Sequence, residues 1–459
     1  MIPVSFYSKG TLPMKFGFLD VYYDAHYRIS KDTAGGYGTA NTLGNGFVSS
    51  ILTRYIKRAV SWPNLQFVQL MQQLIEDGHH CEYKKFQKKR LNPDCSNFDA
   101  IFVCSSIVCF ETEIQLVEEI SRKFPGVIFL CGSFIKYSDV QLPDSCIAID
   151  GNYDLIKPKT LEAIVNSKSP RSTANSVTLV DNDQIDKLAV IDWGNNGLPV
   201  PRNNVISRSR SFIPYIFNRG CPYSCAEYCT YPTAQGRKVM SPSIEKVISD
   251  LTTISERFPG SHVVFRDPVF SINKKKSNEL ITAISEANLN LEFSAELHLK
   301  NLDEDFVANA ANANFSVFKF GIESAFEHVR NAVKRASVSN DEQYEKVKIL
   351  RKHGIRSVGM FIIAQPTDSF ETCKQTIQYA CQLGLDIAQF SVFTPYPGTP
   401  YFKFIEPEIR AKKFEEFTQF SLVFSHINLN KSQVNNLLGF AYRKFIFKKL
   451  FSSLNFFKS

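Results

Sequence analysis

Short apolar runs alternate with stretches of helical spacing along most of the chain. Ala100–Cys104 and Val127–Leu130 are continuously apolar, as buried strands are, and Glu113–Phe124 lies between them with helical spacing. The other elements predicted here are the strands Lys15–Val21 and Cys146–Ile149 and the helices Gly46–Ala59 and Leu65–Asp77. Strands alternating with helices predict a parallel, doubly wound sheet. Its ligands should lie beyond the carboxyl ends of the strands, near the glycine-rich segment 35–38 and Ser105.

A change in composition separates this part from the next. Residues 155–208 are rich in Ser, Asn, Asp and Lys, which indicates a connector. The alternation then resumes as six strand–helix units, fewer than the eight that close a barrel, which predicts a partial barrel. We therefore predict a B12-binding-like α/β domain at 1–154, a linker, a partial (β/α)6 barrel at 209–405 and a mostly helical region at 406–459.

Cysteine usage indicates a reducing compartment. Most of the 11 cysteines stand singly in apolar runs, as Cys104 does, and such thiols are typical of reduced core residues. The first residues lack the pattern of a secretory signal, and no apolar run reaches the ~18 residues of a membrane span. We therefore expect a cytoplasmic protein.

The charge of the chain is mildly positive, at +8 from 53 Lys and Arg against 45 Asp and Glu. Because no dense basic run is interleaved with aromatic residues, we do not expect nucleic acid as a partner. The C-terminal stretch Leu437–Phe457 has the composition of a basic amphipathic helix. Such a helix can lie on a membrane surface, but we expect this one to pack on its own domain.

Three cysteines form the most specific motif. Cys221, Cys225 and Cys229 have the spacing C-x3-C-x3-C and follow the apolar run Phe212–Phe217, which predicts a loop at the carboxyl end of a strand. Three thiolates on one loop can hold three irons of a [4Fe–4S] cluster and leave the fourth iron open to a small molecule. A zinc site with a distant fourth ligand and a set of structural thiols are the alternatives.

Polar residues also follow the later predicted strands. Asp267, Glu296, Glu323 and Gln365 each stand at a strand's carboxyl end in consecutive strand–helix units. Any one of them alone would be interpreted as an exposed loop residue or a helix cap. Together with the cysteines they are expected to converge on one face of the barrel.

With these residues the sequence resembles the radical S-adenosylmethionine (SAM) superfamily, and more closely its branch with an N-terminal B12-binding-type domain. The matching motifs are Arg219-Gly220-Cys221-Pro222-Tyr223, Phe265-Arg266-Asp267-Pro268, Gly321-Ile322-Glu323-Ser324, Lys334-Arg335 and Tyr396-Pro397-Gly398-Thr399-Pro400. The resemblance implies a [4Fe–4S] cluster that reductively cleaves SAM to a 5′-deoxyadenosyl radical, which takes a hydrogen atom from a small-molecule substrate. It also implies an electron donor such as flavodoxin or ferredoxin.

The resemblance assigns a role to each matching position. Cys221, Cys225 and Cys229 would ligate the cluster. The cofactor-binding residues would be Tyr228 beside the adenine, Glu296 and Glu323 at the amino and ribose groups, Arg335 at the carboxylate, and Asp267 at a further strand end. An arginine that pairs with a carboxylate through two hydrogen bonds makes physical sense.

Two departures from the family pattern bear on the reaction. The usual cysteine spacing is C-x3-C-x2-C, and the longer spacing resembles diol-dehydratase-type members that act on an aminoglycoside sugar. Cobalamin proteins with a histidine ligand carry D-x-H-x-x-G, whereas Asp24 and His26 are followed by Ile29 in place of the glycine. The later loop offers a single glycine, Gly132. We therefore expect cobalamin to be a possible cofactor of this protein but not the favoured one.

These departures favour dehydration or rearrangement of a hydroxylated small molecule. His298 is the candidate catalytic acid or base for such a step, with a helix-capping or solvated histidine as the alternative interpretation. A cobalamin-dependent radical SAM methyltransferase and a non-enzymatic iron–sulfur protein are the two other classes that the sequence leaves open.

Overall fold

Two parallel sheets and a helical C-terminal region make up the architecture. The computed structural model describes residues 12–22, 28–87, 92–167, 182–203 and 211–456. The predicted α/β class, with a doubly wound N-terminal sheet, a partial barrel and a helical C-terminus, is confirmed. Asp24 and His26 lie outside the described residues.

The first sheet has five parallel strands in the order β5-β1-β6-β7-β8. The strands up to this point are β1 Lys15–Val21, β2 Arg28–Ser30, β3 Thr39–Asn41, β4 Val60–Ser61, β5 His80–Phe86, β6 Ala100–Cys104, β7 Val127–Cys131 and β8 Cys146–Ile149. The helices are α1 Phe47–Ala59, α2 Leu65–Glu76, α3 Phe110–Ser121 and α4 Pro158–Ser167. β6 and β7 are buried throughout, as continuous apolar strands of a covered parallel sheet should be. Phe102 stacks between Phe18 and Phe129 at ring-centroid distances of 4.6 and 4.7 Å.

The second sheet has six parallel strands in chain order and curls into the partial barrel. After the short strand β9 Arg202–Asn203 come β10 Phe212–Tyr215, β11 Ser261–Phe265, β12 Leu291–Leu297, β13 Phe315–Glu323, β14 Arg356–Ile363 and β15 Ile387–Val392. The helices are α5 Thr230–Gln235, α6 Ile244–Arg257, α7 Lys274–Ala287, α8 Glu304–Asn312, α9 Glu327–Ala332, α10 Asn340–Lys352, α11 Phe370–Gln382 and α12 Pro400–Ile405. Ser243, Asp303 and Ser339 cap three of these helices through their side chains.

The carboxyl ends of the two sheets face each other. The hydroxyl of Tyr37, in the loop that follows β2, donates a hydrogen bond to the carbonyl of Pro397 at 2.9 Å. Thr230 Oγ1 donates to the carbonyl of Ala34 at 2.7 Å. Loops from both domains therefore share one interface, and it is the face at which both sheets are expected to bind ligands.

The stretch predicted as a connector contains ordered structure at both of its ends. α4 begins at Pro158, and β9 pairs antiparallel with β4 through Val60–Asn203 and Ser61–Arg202. The chain between the two domains thus makes a small sheet with the N-terminal part before it enters β10.

The C-terminal helix α13, Lys431–Phe456, packs against α11 and the edge strand β15. The Tyr442 hydroxyl donates to the carbonyl of Phe390 at 2.8 Å and accepts from its N–H at 3.1 Å. An edge strand exposes unpaired backbone groups, and this contact satisfies one such pair. Among the described residues, no helix combines the length and the apolarity that crossing a bilayer requires.

A buried ion pair between the domains gives the first prediction. Arg219 donates to both carboxylate oxygens of Asp154, at 2.8 and 2.5 Å, and both side chains are buried. Arg219→Met should therefore destabilise the protein by about 3–5 kcal/mol, because it leaves the buried Asp154 carboxylate without its cation and with the Gln66 side-chain amide at 3.1 Å as a neutral donor. The shift in the urea unfolding midpoint measures this effect. The double variant Arg219→Met/Asp154→Leu should regain much of the loss, and equal midpoints for the single variant and the wild type would contradict the assignment.

Candidate active site

A cavity of about 420 Å³ lies where the two domains meet. The cysteine loop, the carboxyl ends of the barrel strands and the loops around β2 and β3 form its walls. Its lining includes Cys225, Tyr228, Cys229, Arg266, Glu296, His298, Glu323, Arg335 and Tyr396 from the barrel, and Ser30, Asp32, Thr39, Asn41 and Trp62 from the N-terminal domain. The cavity thus contains most of the site residues that the sequence predicted, and part of its wall comes from the other domain.

The backbone fixes the start of the cysteine loop. Gly220 has a φ of +79°, and a Cβ there would overlap the carbonyl of Lys238, so the turn requires glycine. Arg219 exchanges both backbone hydrogen bonds with Met240, at 2.9 and 3.0 Å. The N–H of Cys221 donates a hydrogen bond to the carbonyl of Gly236 at 3.0 Å.

A short helical turn brings the other two cysteines together. The N–H of Cys229 donates to the carbonyl of Cys225 at 3.0 Å, so the extra residue of the C-x3-C spacing is absorbed within this turn. The pKa of the Cys225 thiol is lowered to about 6, because it accepts a hydrogen bond from the Cys229 thiol and lies beside the Arg335 guanidinium. Arg335 Nη1 is 3.7 Å from Cys225 Sγ. Thiolates are the form that binds metal, and Cys225 is the thiol closest to that form. Burial raises the pKa of Cys221, and the hydrogen bond to Cys225 raises that of Cys229, so cluster binding would release their protons.

The donor set fits an iron–sulfur cluster. Three thiols stand on one loop at the edge of a cavity that continues past them, and a cation lies beside them to balance the thiolate charge. The other cysteines are Cys81, Cys95, Cys104, Cys109, Cys131, Cys146, Cys373 and Cys381, and they lie in or against the apolar core. Cys221, Cys225 and Cys229 would therefore hold the cluster and leave one iron for another ligand.

Glu323 and Arg335 form a buried pair beside the cysteines. Arg335 Nε is 3.3 Å from Glu323 Oε1, and burial raises the pKa of Glu323 while Arg335 opposes that rise. Glu323 has a φ of +67°, which is costly for a residue with a side chain and is typical of functional positions. A Cβ at Gly321 would collide with both side chains, so this glycine makes room for the pair.

Of the remaining predicted cofactor-binding residues, two line the cavity and one does not. Glu296 lines the cavity, and so does Tyr228, whose ring lies 5.6 Å from that of Phe393. Asp267 is fully buried behind the wall, where its carboxylate accepts from the N–H of Phe217 at 2.8 Å and from Asn218 Nδ2 at 3.0 Å. Burial raises the pKa of Asp267 to about 7 despite these bonds. Asp267 therefore braces the start of the cysteine loop and does not face the cavity.

His298 lines the cavity, but both of its ring nitrogens are engaged. Nε2 donates to the carbonyl of Ala336 at 2.6 Å, and Nδ1 accepts from the N–H of Lys300 at 3.2 Å. Burial, with Arg335 nearby, lowers the pKa of His298 to about 4. The structure thus supports the capping interpretation of this residue and leaves it no free nitrogen for acid–base work.

Three polar groups on the cavity wall, on Trp62, Arg266 and Tyr396, had no role assigned from the sequence. Arg266 forms an ion pair with Asp32 of the other domain at 3.0 Å and lies 5.1 Å from the Trp62 ring. Trp62 Nε1, Arg266 Nε and the Tyr396 hydroxyl are buried and have no hydrogen-bond partner among the described residues. Buried polar groups are nearly always paired, so these groups indicate a ligand that completes the site.

The second sheet and its cysteine loop have the arrangement expected of a radical SAM domain, and they follow a doubly wound α/β domain. Residues 215–380 match the family model of the Radical SAM superfamily, which confirms the resemblance predicted from the sequence. Residues 215–380 therefore form a radical SAM domain, a family whose members use SAM and a [4Fe–4S] cluster as cofactors.

Individual relatives are distant. The chain is 24% identical over 283 residues to an uncharacterized methyltransferase, PH0819, of Pyrococcus horikoshii, covering 61% of this chain and 59% of that one. It is 26% identical over 215 residues to bacteriochlorophyllide d C-12(1)-methyltransferase of Chlorobaculum tepidum, covering 46% of each. The chain thus spans about half the length of these curated relatives.

Two solved structures share the fold. The radical SAM methyltransferase TsrM of Kitasatospora setae, with tryptophan and aza-SAM bound, has a TM-score of 0.66 at 13% identity and covers 93% of this chain and 89% of its own. The cobalamin-dependent radical SAM enzyme OxsB, with aqua-cobalamin and SAM bound, has a TM-score of 0.64 at 12% identity and covers 93% of this chain and 66% of its own. At these identities the likeness concerns the fold.

Removal of any loop cysteine should abolish the cluster. Anaerobic reconstitution of the wild type should yield about four irons and four sulfides per chain. Cys221→Ala, Cys225→Ala and Cys229→Ala should each lose the cluster or its ability to cleave SAM, as iron analysis and 5′-deoxyadenosine formation will show. Cys381→Ala is the matched control, because this thiol is buried in the core away from the cavity. Full activity in Cys229→Ala would show that another residue supplies the third ligand.

Loss of the buried pair should weaken SAM binding and leave the cluster intact. A charge-assisted hydrogen bond is worth about 1.5–3 kcal/mol, so Arg335→Ala and Glu323→Ala should each bind SAM roughly ten- to a hundredfold more weakly. Titration of the reconstituted protein with SAM measures this. Lys348→Ala removes an exposed charge on α10 and serves as the control. A variant whose SAM affinity matches that of the control would not be part of the site.

Proposed function

We propose that this protein is a cobalamin-dependent radical SAM methyltransferase that acts on a small molecule. The observation that carries the proposal is the shared cavity, because a B12-binding-type domain supplies one wall and the cysteine loop the other. The names of the relatives point the same way, since PH0819 and the bacteriochlorophyllide protein are described as methyltransferases. These comparisons favour methyl transfer over the dehydration or rearrangement that the cysteine spacing suggested.

The N-terminal wall has groups that suit a corrin. Ser30, Asp32, Thr39 and Asn41 present polar atoms to the cavity, and Trp62 Nε1 is a buried donor without a partner among the described residues. A corrin carries amide side chains that such groups can bind. Ile29 pairs with Ala40 inside the β2–β3 hairpin, so cobalamin would be held without the loop that the D-x-H-x-x-G motif forms.

The chain's own residues position and enclose the reactants. When bound, the cluster, SAM and cobalamin would supply a 5′-deoxyadenosyl radical and a methyl group. Cys221, Cys225 and Cys229 hold the cluster, and Arg335 and Glu323 bind the charged end of SAM. The Asp32–Arg266 pair ties the two walls together and, with Tyr37 on Pro397, excludes water from the reacting groups.

Dehydration would need an acid or base next to the substrate. Both nitrogens of His298 are engaged with backbone groups, so this residue is not available for that role. The engaged histidine therefore removes the acid–base candidate on which the dehydration interpretation relied.

Cofactor and product analysis tests the proposal. Protein produced with cobalamin available and purified without oxygen should contain about one corrinoid per chain. Given SAM, a reductant and a host extract, it should form S-adenosylhomocysteine together with 5′-deoxyadenosine. Cys229→Ala should retain corrinoid and lose 5′-deoxyadenosine. Corrinoid-free protein that forms 5′-deoxyadenosine alone would contradict methyl transfer and return the dehydratase interpretation to favour.

A further inference from the structure

A second cavity, of about 480 Å³, lies at the open edge of the barrel between α1, the edge strand β15 and α13. Its wall is largely apolar and includes Leu43, Ile56, Phe420 and Phe445. This volume falls within the ~300–1,000 Å³ that is typical of sites for small organic molecules. No step of the proposed chemistry uses this cavity.

The second cavity adjoins the first. Asn41, at the end of β3, and Gln389, on β15, line both cavities, so these two side chains form the wall between them. A molecule with its polar end among the cofactors can therefore extend past Asn41 and Gln389 into the apolar space.

Close packing of the surrounding segments indicates a built cavity. The backbones of Gly44 and Gly439 are in contact, and a Cβ at Gly439 would lie 2.6 Å from the carbonyl oxygen of Asn45. Arg443 Nη1 donates to that same carbonyl at 3.0 Å, and Thr53 Oγ1 accepts from the N–H of Leu43 at 3.0 Å. Hydrogen bonds and close backbone packing thus hold α1, the segment before it and α13 together around an apolar space.

The small number of charged residues on the wall of the second cavity indicates what kind of molecule it can bind. Asp386 and Lys449 are the charged residues among the described lining residues, and the rest of that wall offers hydrocarbon or neutral polar groups. The cavity opens to solvent at Ile387, which is 51% exposed, and at Ile446, which is 37% exposed. An uncharged aliphatic chain fits this wall, since burying a charge without a partner would cost far more than it gains.

We propose that the substrate is an amphipathic molecule whose apolar tail occupies this second cavity while its reacting carbon lies among the cofactors. The substrate class rests on the proposed function, and the tail-binding cavity rests on the geometry alone. Each buried methylene should raise affinity about fourfold, until the chain is long enough to fill the cavity.

Binding of a fluorescent fatty acid tests the cavity. Dansylundecanoic acid, titrated into the reconstituted full chain, should bind saturably at one site. Ile387→Glu and Ile446→Glu place a carboxylate at the opening and should weaken binding by about tenfold or more. Ile427→Glu is the matched control, because Ile427 is 86% exposed and lies outside the cavity lining. Equal affinity in all three variants, or no saturable binding, would overturn the proposal.

Orientation is tested with two spin-labelled stearic acids, one labelled near the carboxylate and one near the terminal methyl group. The reduced cluster is paramagnetic, so it should relax the label near the carboxylate faster. Equal relaxation, or faster relaxation of the methyl-end label, would contradict the proposed direction. Neither measurement needs methyl transfer, so a protein that binds the probes without methylating anything would refute the proposed function and leave the cavity assignment standing.

A second copy of the chain is the competing occupant. Sedimentation of the wild type and of Ile387→Glu distinguishes the two occupants. A dimer that the substitution dissociates, together with no probe binding, would assign the apolar cavity to self-association and overturn the proposal.

Discussion

The contact between the carboxyl ends of the two parallel sheets is the constraint on which the site depends. Parallel strands deliver all their following loops to one edge, so each sheet presents its polar residues on a single face. Arg219 with Asp154 and Arg266 with Asp32 are ion pairs across this contact, and Tyr37 reaches Pro397. Because these contacts join the two domains, residues far apart in the chain line one cavity.

The strands of the N-terminal sheet could be predicted closely where they are continuous apolar runs that are buried throughout. Cys146–Ile149 and Ala100–Cys104 are found as predicted. β5, His80–Phe86, was missed because it alternates charged residues with apolar ones at the sheet edge. The β2–β3 hairpin was missed because its strands have three residues each, too few to show an alternating pattern.

Site residues that belong to a sequence motif could be predicted. Site residues that only the folded arrangement brings to the cavity could not. Cys225, Cys229 and Glu323 meet in the cavity because they follow or end parallel strands, and Arg335 reaches them from the loop after α9. Asp267 occupies a strand end too, but its carboxylate points back to satisfy the N–H of Phe217. Asp32 and Trp62 carry no motif, and only the contact between domains brings them to the cavity, so no sequence pattern could have indicated them.

The central claim is that three cysteines of one loop hold a cluster whose fourth iron is free to bind SAM. Mössbauer spectroscopy of protein reconstituted with ⁵⁷Fe, recorded with and without SAM, tests it most directly. The account predicts that SAM changes the spectrum of one iron in four and leaves the other three unchanged. A spectrum that SAM does not alter, or a cluster that survives in Cys225→Ala with the same spectrum, would contradict it.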